Sequence, residues 1–170
     1  MKKLLIIFIL LTLSLSSCGL YNLNFFTLPD DAEFIALVQE LDTPLKICQY
    51  MKDNFTYELH LLYTPNPYIL WQTKKGDCND FATFGVFIAD YHGYETYQIK
   101  IYWQDIKIKH RLAIYKENKY SFSDNWLYFL PIYNNFLEIV KYDSFLQDKI
   151  WSKYIVYDYD MNIIEIIYNN

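Results

Sequence analysis

Three residues with the chemistry of acyl transfer occur along the chain in the order cysteine, histidine, aspartate: Cys78, His110 and Asp124. Cys78 directly follows Asp77, a good helix N-cap, and stands at the start of an apolar helical pattern. At a helix N-terminus the unpaired backbone N–H groups and the helix dipole stabilise a thiolate, which is the nucleophilic form of cysteine. Together the three residues predict a triad in which the thiolate attacks an acyl carbon, the imidazole moves the proton and the carboxylate fixes the imidazole tautomer.

Residue parity indicates that His110 and Asp124, one on each strand of a β-hairpin, face the interior of the protein. Each has the strand parity of apolar neighbours, which are Ile108, Leu112 and Ile114 for the histidine and Tyr120 and Phe122 for the aspartate. Buried polar side chains need partners, so the two are expected to pair. Direct opposition requires paired residue numbers that sum to 234, which predicts an odd hairpin loop centred on Glu117, with Asn118 in the left-handed conformation. A two-residue turn at 117–118 would place the two side chains on opposite faces.

Hydrophobic periodicity predicts the elements that position these residues. Helices are expected around residues 30–41, 43–55 and 78–92, with a loop over residues 60–70. Strands are expected over residues 96–103, 106–115 and 120–124, and each of the first two has one polar face. Beyond Pro131 the pattern predicts a strand at 137–142, a short helix at 143–153 and a last strand at 154–167. Helices followed by antiparallel strands indicate an α+β fold.

The three cysteines need separate explanations, because an odd number without a CxxC pair forms neither a disulfide scaffold nor a zinc ribbon. Cys48 shares the apolar stripe of the second helix with Leu45, Met51 and Phe55, which predicts a small core residue. A Cys48–Cys78 disulfide is open in an oxidising compartment, although burial of Cys48 argues against it. Metal binding by the triad residues is compatible with ligand softness, but no element carries paired ligands, so no metal site is predicted.

The N-terminus is typical of a bacterial export signal. Met1-Lys2-Lys3 precedes an apolar run, residues 4–15, that would span about 18 Å as a helix and is too short for the roughly 30 Å hydrocarbon core. The following Leu15-Ser16-Ser17-Cys18 resembles the bacterial lipobox. This resemblance implies removal of residues 1–17, lipid attachment to the sulfur of Cys18, and an anchored protein in the cell envelope that faces the periplasm or the exterior. The alternative is an ordinary signal peptide with an incidental cysteine.

The chain after the signal is predicted to be a tether, residues 18–29, and one anionic domain, residues 30–170. Cleavage before Cys18 would remove two lysines and no acid, so the formal net charge of −5 would become −7. Arg111 is the only arginine of the chain, which excludes nucleic acid as a main partner. Many of the aromatic residues, which make up 20% of the chain, lie in the alternating strands, so packing explains them better than a sugar- or peptide-stacking surface.

Three segments around the candidate triad resemble the transglutaminase-like branch of the papain-like thiol-enzyme superfamily, and in particular its bacterial transglutaminase-like cysteine proteinases. The segments are Trp71 with Gly76-Asp77-Cys78-Asn79-Asp80-Phe81-Ala82, then His110 at the start of an apolar strand, then Phe122-Ser123-Asp124-Asn125. The resemblance covers roughly residues 45–126. It implies a papain-like α+β fold with the nucleophile helix packed on an antiparallel sheet. It also implies Cys78 as nucleophile, His110 as general base and acid, and Asp124 as the orienting residue.

The resemblance bears on two further residues. Gln72, six residues before Cys78, has the spacing of the papain-type glutamine that donates a hydrogen bond to the oxyanion. Family proteinases often bind calcium through the aspartate before the cysteine and an acid after it. Asn79 stands in the second of these places, which argues against calcium, and no other cofactor is expected.

Two functions are compatible with these features. The first is a lipid-anchored thiol enzyme, a peptidase, amidase or acyl transferase that acts on amide bonds of envelope peptides or proteins. Hydrolysis and transamidation share the acyl-enzyme and differ only in whether water or an amine accepts the acyl group. The second is a catalytically inactive lipoprotein of the same fold that binds a peptide or a partner in the same cleft.

Overall fold

The computed structural model describes residues 28–60, 66–104 and 107–169. The predicted signal peptide, the predicted lipidation site Cys18 and most of the predicted tether lie outside these residues. Within the described ranges, no helix has the length and apolar character needed to cross a membrane.

The described residues form five helices and eight strands. The helices are α1 (Ala32–Glu40), α2 (Pro44–Asn54), α3 (Pro67–Thr73), α4 (Cys78–Tyr91) and α5 (Phe136–Gln147). The strands are β1 (Thr56–Tyr57), β2 (Lys75–Gly76), β3 (Glu95–Trp103), β4 (Lys109–Lys116), β5 (Tyr120–Asp124), β6 (Leu127–Tyr133), β7 (Trp151–Tyr157) and β8 (Ile163–Tyr168). Strands β3 to β8 form an antiparallel sheet in the order β6-β5-β4-β3-β7-β8, and β1 pairs with β2 in parallel. The predicted α+β class is confirmed.

Capping side chains explain where the N-terminal helices begin. Asp31 caps α1 and Thr43 caps α2, at the positions where the sequence predicts helix starts. The structure differs at α3, which begins at Pro67 inside the segment 60–70 predicted to be a loop. Asn66 caps this helix, and Pro67 occupies its first position, where the N–H that proline lacks would have had no partner within the helix.

Helices cover the sheet on both faces and create two hydrophobic cores. Helices α1 to α4 share the first core with Ala113 and Tyr115 of β4. Helix α5 shares the second core with Leu112 and Ile114 of the same strand. The prediction of one polar face for β4 is therefore wrong, because a strand between two helical layers buries both of its faces.

Two apolar residues that were expected to be internal are exposed. Ile108 lies before the start of β4 and is 63% exposed, and Leu45 is 59% exposed in the first turn of α2. Ile47 is buried in place of Leu45, whereas Cys48 and Met51 are buried as predicted. The buried stripe of α2 is therefore rotated slightly from the predicted one, and Cys48 remains within it.

The C-terminal half differs most from the prediction. Residues 137–142, predicted to be a strand, belong to α5, and residues 143–153, predicted to be a helix, contain the end of α5 and the start of β7. The predicted last strand, 154–167, is a hairpin of β7 and β8. Strand β6 contains Pro131 and lies at an edge of the sheet, where a missing N–H is tolerated. Short apolar runs fit either a helix or a strand, so periodicity alone assigned this region incorrectly.

Candidate active site

Cys78 is the first residue of α4, and a capping box holds the start of this helix. Asp77 Oδ1 accepts a hydrogen bond from the backbone N–H of Asn79 at 2.8 Å, and Asp80 Oδ2 accepts one from the backbone N–H of Asp77 at 2.9 Å. Gly76 permits this arrangement, because a Cβ atom there would stand 2.6 Å from Cβ of Asp80. The thiol therefore lies at the positive end of the helix dipole, in a residue that is 7% exposed.

The β4–β5 hairpin brings His110 and Asp124 together, but in a different register from the predicted one. Leu112 lies opposite Asp124, so paired residue numbers sum to 236 instead of 234. The loop is odd, as predicted, but it is centred on Asn118, which does not adopt the left-handed conformation. A shift of two residues leaves both side chains on the same face. His110 therefore reaches Asp124 diagonally, and its Nε2 donates a hydrogen bond to Asp124 Oδ1 at 2.8 Å.

The imidazole of His110 contacts both the carboxylate and the thiol. Burial by itself would lower the pKa of His110, but hydrogen bonds to Asp124 and Cys78, with the negative charges of Asp124 and Asp143, outweigh burial and raise this pKa to about 10. Because Nε2 is bonded to Asp124, Nδ1 is the ring nitrogen that remains to exchange a proton with the thiol. The structure thus brings all three predicted residues into one contact chain.

Asp124 is held in place by two amide side chains in addition to the imidazole. Gln147 Nε2 donates to Asp124 Oδ2 at 2.9 Å, and Asn125 Nδ2 donates to Asp124 Oδ1 at 3.0 Å. Asn125 occupies the tight turn after β5 with a φ of 52°, a conformation that asparagine tolerates well. Gln147 is the last residue of α5, and sequence reasoning missed it because it comes from a helix that was assigned incorrectly.

Sequence reasoning also missed Asp143, a second residue of α5 that lies beside the candidate triad. Its carboxylate is fully buried, and burial is the main reason that its pKa is raised to about 6. Among the described residues, His110, Asp124 and Asp143 are the only group whose potential metal-ligating atoms, one from each, lie within 4.8 Å of one another. The direct hydrogen bond between His110 and Asp124 already uses two of these side chains, so we assign no metal to them.

Gln72, the predicted oxyanion donor, lies on the exposed side of α3. Its amide forms a hydrogen bond with Tyr68, whose hydroxyl donates in turn to Asp31 Oδ2 at 2.7 Å. These contacts link Gln72 to Asp31, the cap of α1, through Tyr68. A role of Gln72 in stabilising an oxyanion remains a prediction.

Asn79 contacts the capping Asp77 through its side chain, at the position where the proteinases that the motif resembles have an acid. Its Nδ2 donates to Asp77 Oδ1 at 3.0 Å, the oxygen that also accepts from the backbone N–H of Asn79. Because the Nδ2 donor leaves the amide oxygen of Asn79 uninvolved in this contact, the expectation that calcium does not bind here stays a prediction.

Cys48 lies in the first core, away from the triad, and both described cysteines are free thiols. Burial raises the pKa of Cys48 to about 12, although hydrogen bonds from Ser123 and Tyr115 favour its thiolate. Its thiol therefore remains protonated at any physiological pH, and this residue is a packing residue as predicted.

A pocket of about 240 Å³ adjoins the start of α4. Residues of α3, β2 and the segment after β1 line it, together with Asp80 of the capping box.

Comparison with known proteins does not identify the chain. No protein-family model matches it, and no curated protein is significantly similar to it.

Proposed function

We propose that this protein is a thiol enzyme that cleaves or transfers amide-linked acyl groups. Cys78 is the nucleophile, His110 the general base and acid, and Asp124 the orienting carboxylate. One observation carries the proposal. The Cys78 thiol, which lies at a helix N-terminus, contacts the imidazole of His110, and this imidazole is hydrogen-bonded to the buried carboxylate of Asp124. A lone cysteine or histidine is usually structural, whereas this aligned set is what acyl transfer by cysteine requires.

In the first half-reaction the thiolate of Cys78 attacks the carbonyl carbon of an amide. A C–S bond forms, and the carbonyl π electrons move to the oxygen. The backbone N–H of Cys78, the first residue of α4, lacks an acceptor within the helix and is available to stabilise this oxyanion, whereas the N–H of Asn79 already donates to Asp77. When the intermediate collapses, the C–N bond breaks and the imidazolium of His110 gives its proton to the leaving amine.

In the second half-reaction the acyl group leaves the sulfur. His110, now neutral, takes a proton from the incoming nucleophile as that nucleophile attacks the thioester carbon. Asp124 holds the ring through Nε2 and stabilises the imidazolium that forms again. Water gives hydrolysis and an amine gives transamidation, and both outcomes use the same three side chains.

The fold family that we propose is the transglutaminase-like branch of the papain-like enzymes. Three features support it: the chain order of the triad, the motif around Cys78, and the packing of helix α4 on an antiparallel sheet. Gly85 of α4 lies against Tyr115 and Ala113 of β4, so helix and sheet are in close contact. The N-terminal motif supports lipid attachment at Cys18 in the cell envelope, where peptides or proteins would be the substrates.

An inactive binding module of the same fold is the second candidate. The observation in its favour is limited access, because Cys78 is 7% exposed and the side chain of His110 is 14% exposed. A peptide would then occupy the cleft above the thiol without reaction.

Alkylation of the folded protein by iodoacetamide tests whether Cys78 is activated, with Cys48 as an internal control. We expect Cys78 to be labelled at least tenfold faster than Cys48, because a thiolate reacts and a buried thiol does not. His110→Gln should remove most of the difference, whereas Cys48→Ala should leave the labelling of Cys78 unchanged. Equally slow labelling of both cysteines would contradict the proposal.

Turnover separates the enzyme from the binding module. Wild type and Cys78→Ala are incubated with a peptide library, with and without a fluorescent primary amine as acceptor. Cleaved or amine-labelled peptides with wild type alone support the enzyme and show which acceptor it uses. Peptide binding by both proteins without any product would favour the binding module.

A further inference from the structure

Asp143 is a fully buried carboxylate that directly adjoins the candidate triad. One polar atom from each of Asp143, Asp124 and His110 lies within 4.8 Å of the other two. Among the described residues, neither carboxylate oxygen of Asp143 has a hydrogen-bond partner of good geometry. Asp124, in contrast, accepts hydrogen bonds from His110, Asn125 and Gln147.

This difference indicates which of the two carboxylates keeps a proton. Two carboxylates this close in a dry interior do not both ionise without compensation. Asp124 accepts three hydrogen bonds, whereas the pKa of Asp143 is raised by burial, so the retained proton belongs on Asp143. The titratable and charged groups that face Asp143 are His110 from β4, Asp124 from β5 and Lys149 after α5. Burial raises the pKa of Asp143 to about 6 and the charge of Asp124 adds to the rise, whereas His110, the neighbouring Gln147 side chain and Lys149 oppose it.

We propose that Asp143 is a positioning residue of this site, and that its own proton controls how firmly His110 holds the proton used in acyl transfer. The inference rests on the proposed function, because it adds a member to the same triad. With Asp143 protonated, the imidazolium faces one negative carboxylate, and with Asp143 ionised it faces two. His110 therefore releases its proton to a leaving amine more readily at lower pH.

The carboxyl group of Asp143 adds an ionisation that a triad of cysteine, histidine and aspartate lacks. Loss of the proton from Asp143 places a negative charge beside His110 and increases the proton affinity of the imidazole. The pH profile of Cys78 alkylation should therefore contain a transition near pH 6. Because the groups interact strongly, this transition belongs to the Asp143–Asp124–His110 cluster as a unit.

The test follows the titration of His110 by NMR in wild type, Asp143→Asn and Asp148→Asn. The chain has only three histidines, His60, His92 and His110, so the signals are few. Asp148→Asn is the matched control, because it removes the same charge from an exposed residue at the end of α5. We expect Asp143→Asn to lower the midpoint of His110 by about one pH unit or more. Asp148→Asn should change it by less than about 0.2, since exposed charges are screened.

An unmoved His110 midpoint in folded Asp143→Asn would overturn the proposal. A second measurement needs no substitution: carboxyl NMR of wild type, with EDTA present, should show Asp143 titrating near pH 6. A midpoint at or below the ordinary 3.8 would also overturn it. Neither measurement depends on turnover. If Cys78 is unreactive while His110 still responds to Asp143, the proposed function fails and the coupling stands.

Discussion

The two described cysteines show how environment separates residues of one type. Cys48 is enclosed by the first core, and burial raises its pKa to about 12, so the thiol is inert. Cys78 stands at the N-terminus of a helix and contacts an imidazole that is bonded to a buried carboxylate. The difference in reactivity that we expect comes from a few polar atoms around one sulfur.

Substitution of Asp124 tests its role as the orienting carboxylate. In Asp124→Asn the amide keeps the shape of the side chain but loses the negative charge, so the pKa of His110 should fall from about 10 towards its ordinary value. We expect the rate of Cys78 alkylation at neutral pH to fall about tenfold or more. Asp53→Asn, which changes an exposed carboxylate on α2, is the matched control. Equal rates in wild type and Asp124→Asn would show that the carboxylate is not needed.

Gln147 offers a test of how Asp124 is held. In Gln147→Leu one hydrogen bond to a buried carboxylate is lost, which should lower the free energy of unfolding by about 1–3 kcal/mol and slow Cys78 alkylation. Gln49→Leu removes the same kind of amide from an exposed carboxylate, Asp53, and should change both quantities little. Urea denaturation and alkylation rates measure the two effects. Similar losses of stability and alkylation rate in both variants would show that the hydrogen bond from Gln147 to Asp124 matters no more than an exposed one.

At the scale of elements, the contact between α4 and β4 depends on a glycine. A Cβ atom on Gly85 would stand 2.4 Å from the hydroxyl of Tyr115 and 3.3 Å from Cβ of Ala113. That hydroxyl is itself hydrogen-bonded to Ser123 Oγ at 3.0 Å, so it cannot move freely. The glycine therefore permits close approach of side chains from the sheet.

Gly85→Ala should destabilise the protein in spite of alanine's better helix propensity. The clash with Tyr115 predicts a loss of about 1–3 kcal/mol in the free energy of unfolding. Tyr115→Phe removes the hydroxyl, so Gly85→Ala should cost less in that background. A double-mutant cycle by urea denaturation measures the difference. Additive effects of the two substitutions would contradict this account of the contact.

Elements with local start signals could be predicted from the sequence, whereas others could not. Asp31, Thr43 and Asp77 each precede a helical apolar pattern, and each caps a helix in the structure. Helix α5 has a cap too, Asn135, but its apolar residues also fit a strand, and the prediction failed there. As a consequence Asp143 and Gln147, which both belong to α5, were missed as residues of the site.

At the scale of the whole molecule, the raised pKa values of Asp143 and His110 make stability depend on pH. Both native pKa values are raised, so the native state binds more protons than the unfolded state between the unfolded and native values. Because of Asp143, the free energy of unfolding should fall by about 3 kcal/mol as the pH rises from 3.8 to about 6. For His110 the stabilisation is fully present below pH 6.5 and is lost as pH rises through about 10.

Urea denaturation as a function of pH measures how the free energy of unfolding changes in these two pH ranges. Asp143→Asn should remove the decline between pH 3.8 and about 6, and His110→Gln should remove the decline between pH 6.5 and about 10. Because the two groups interact, the upper decline should also begin and end at lower pH in Asp143→Asn than in the wild type. Persistence of the lower decline in Asp143→Asn would show that another group causes it.

The sequence by itself determined the order of the triad, the cap before Cys78 and the shared parity of His110 and Asp124. These features depend on neighbouring residues and on the two-residue period of a strand, which an error of two in the register does not change. Only the tertiary structure decided that both faces of β4 are buried and that Asp143 and Gln147 from α5 lie against the triad. Such contacts join segments about twenty or more residues apart, and they depend on how the helices pack on the sheet, which no local pattern in the chain encodes.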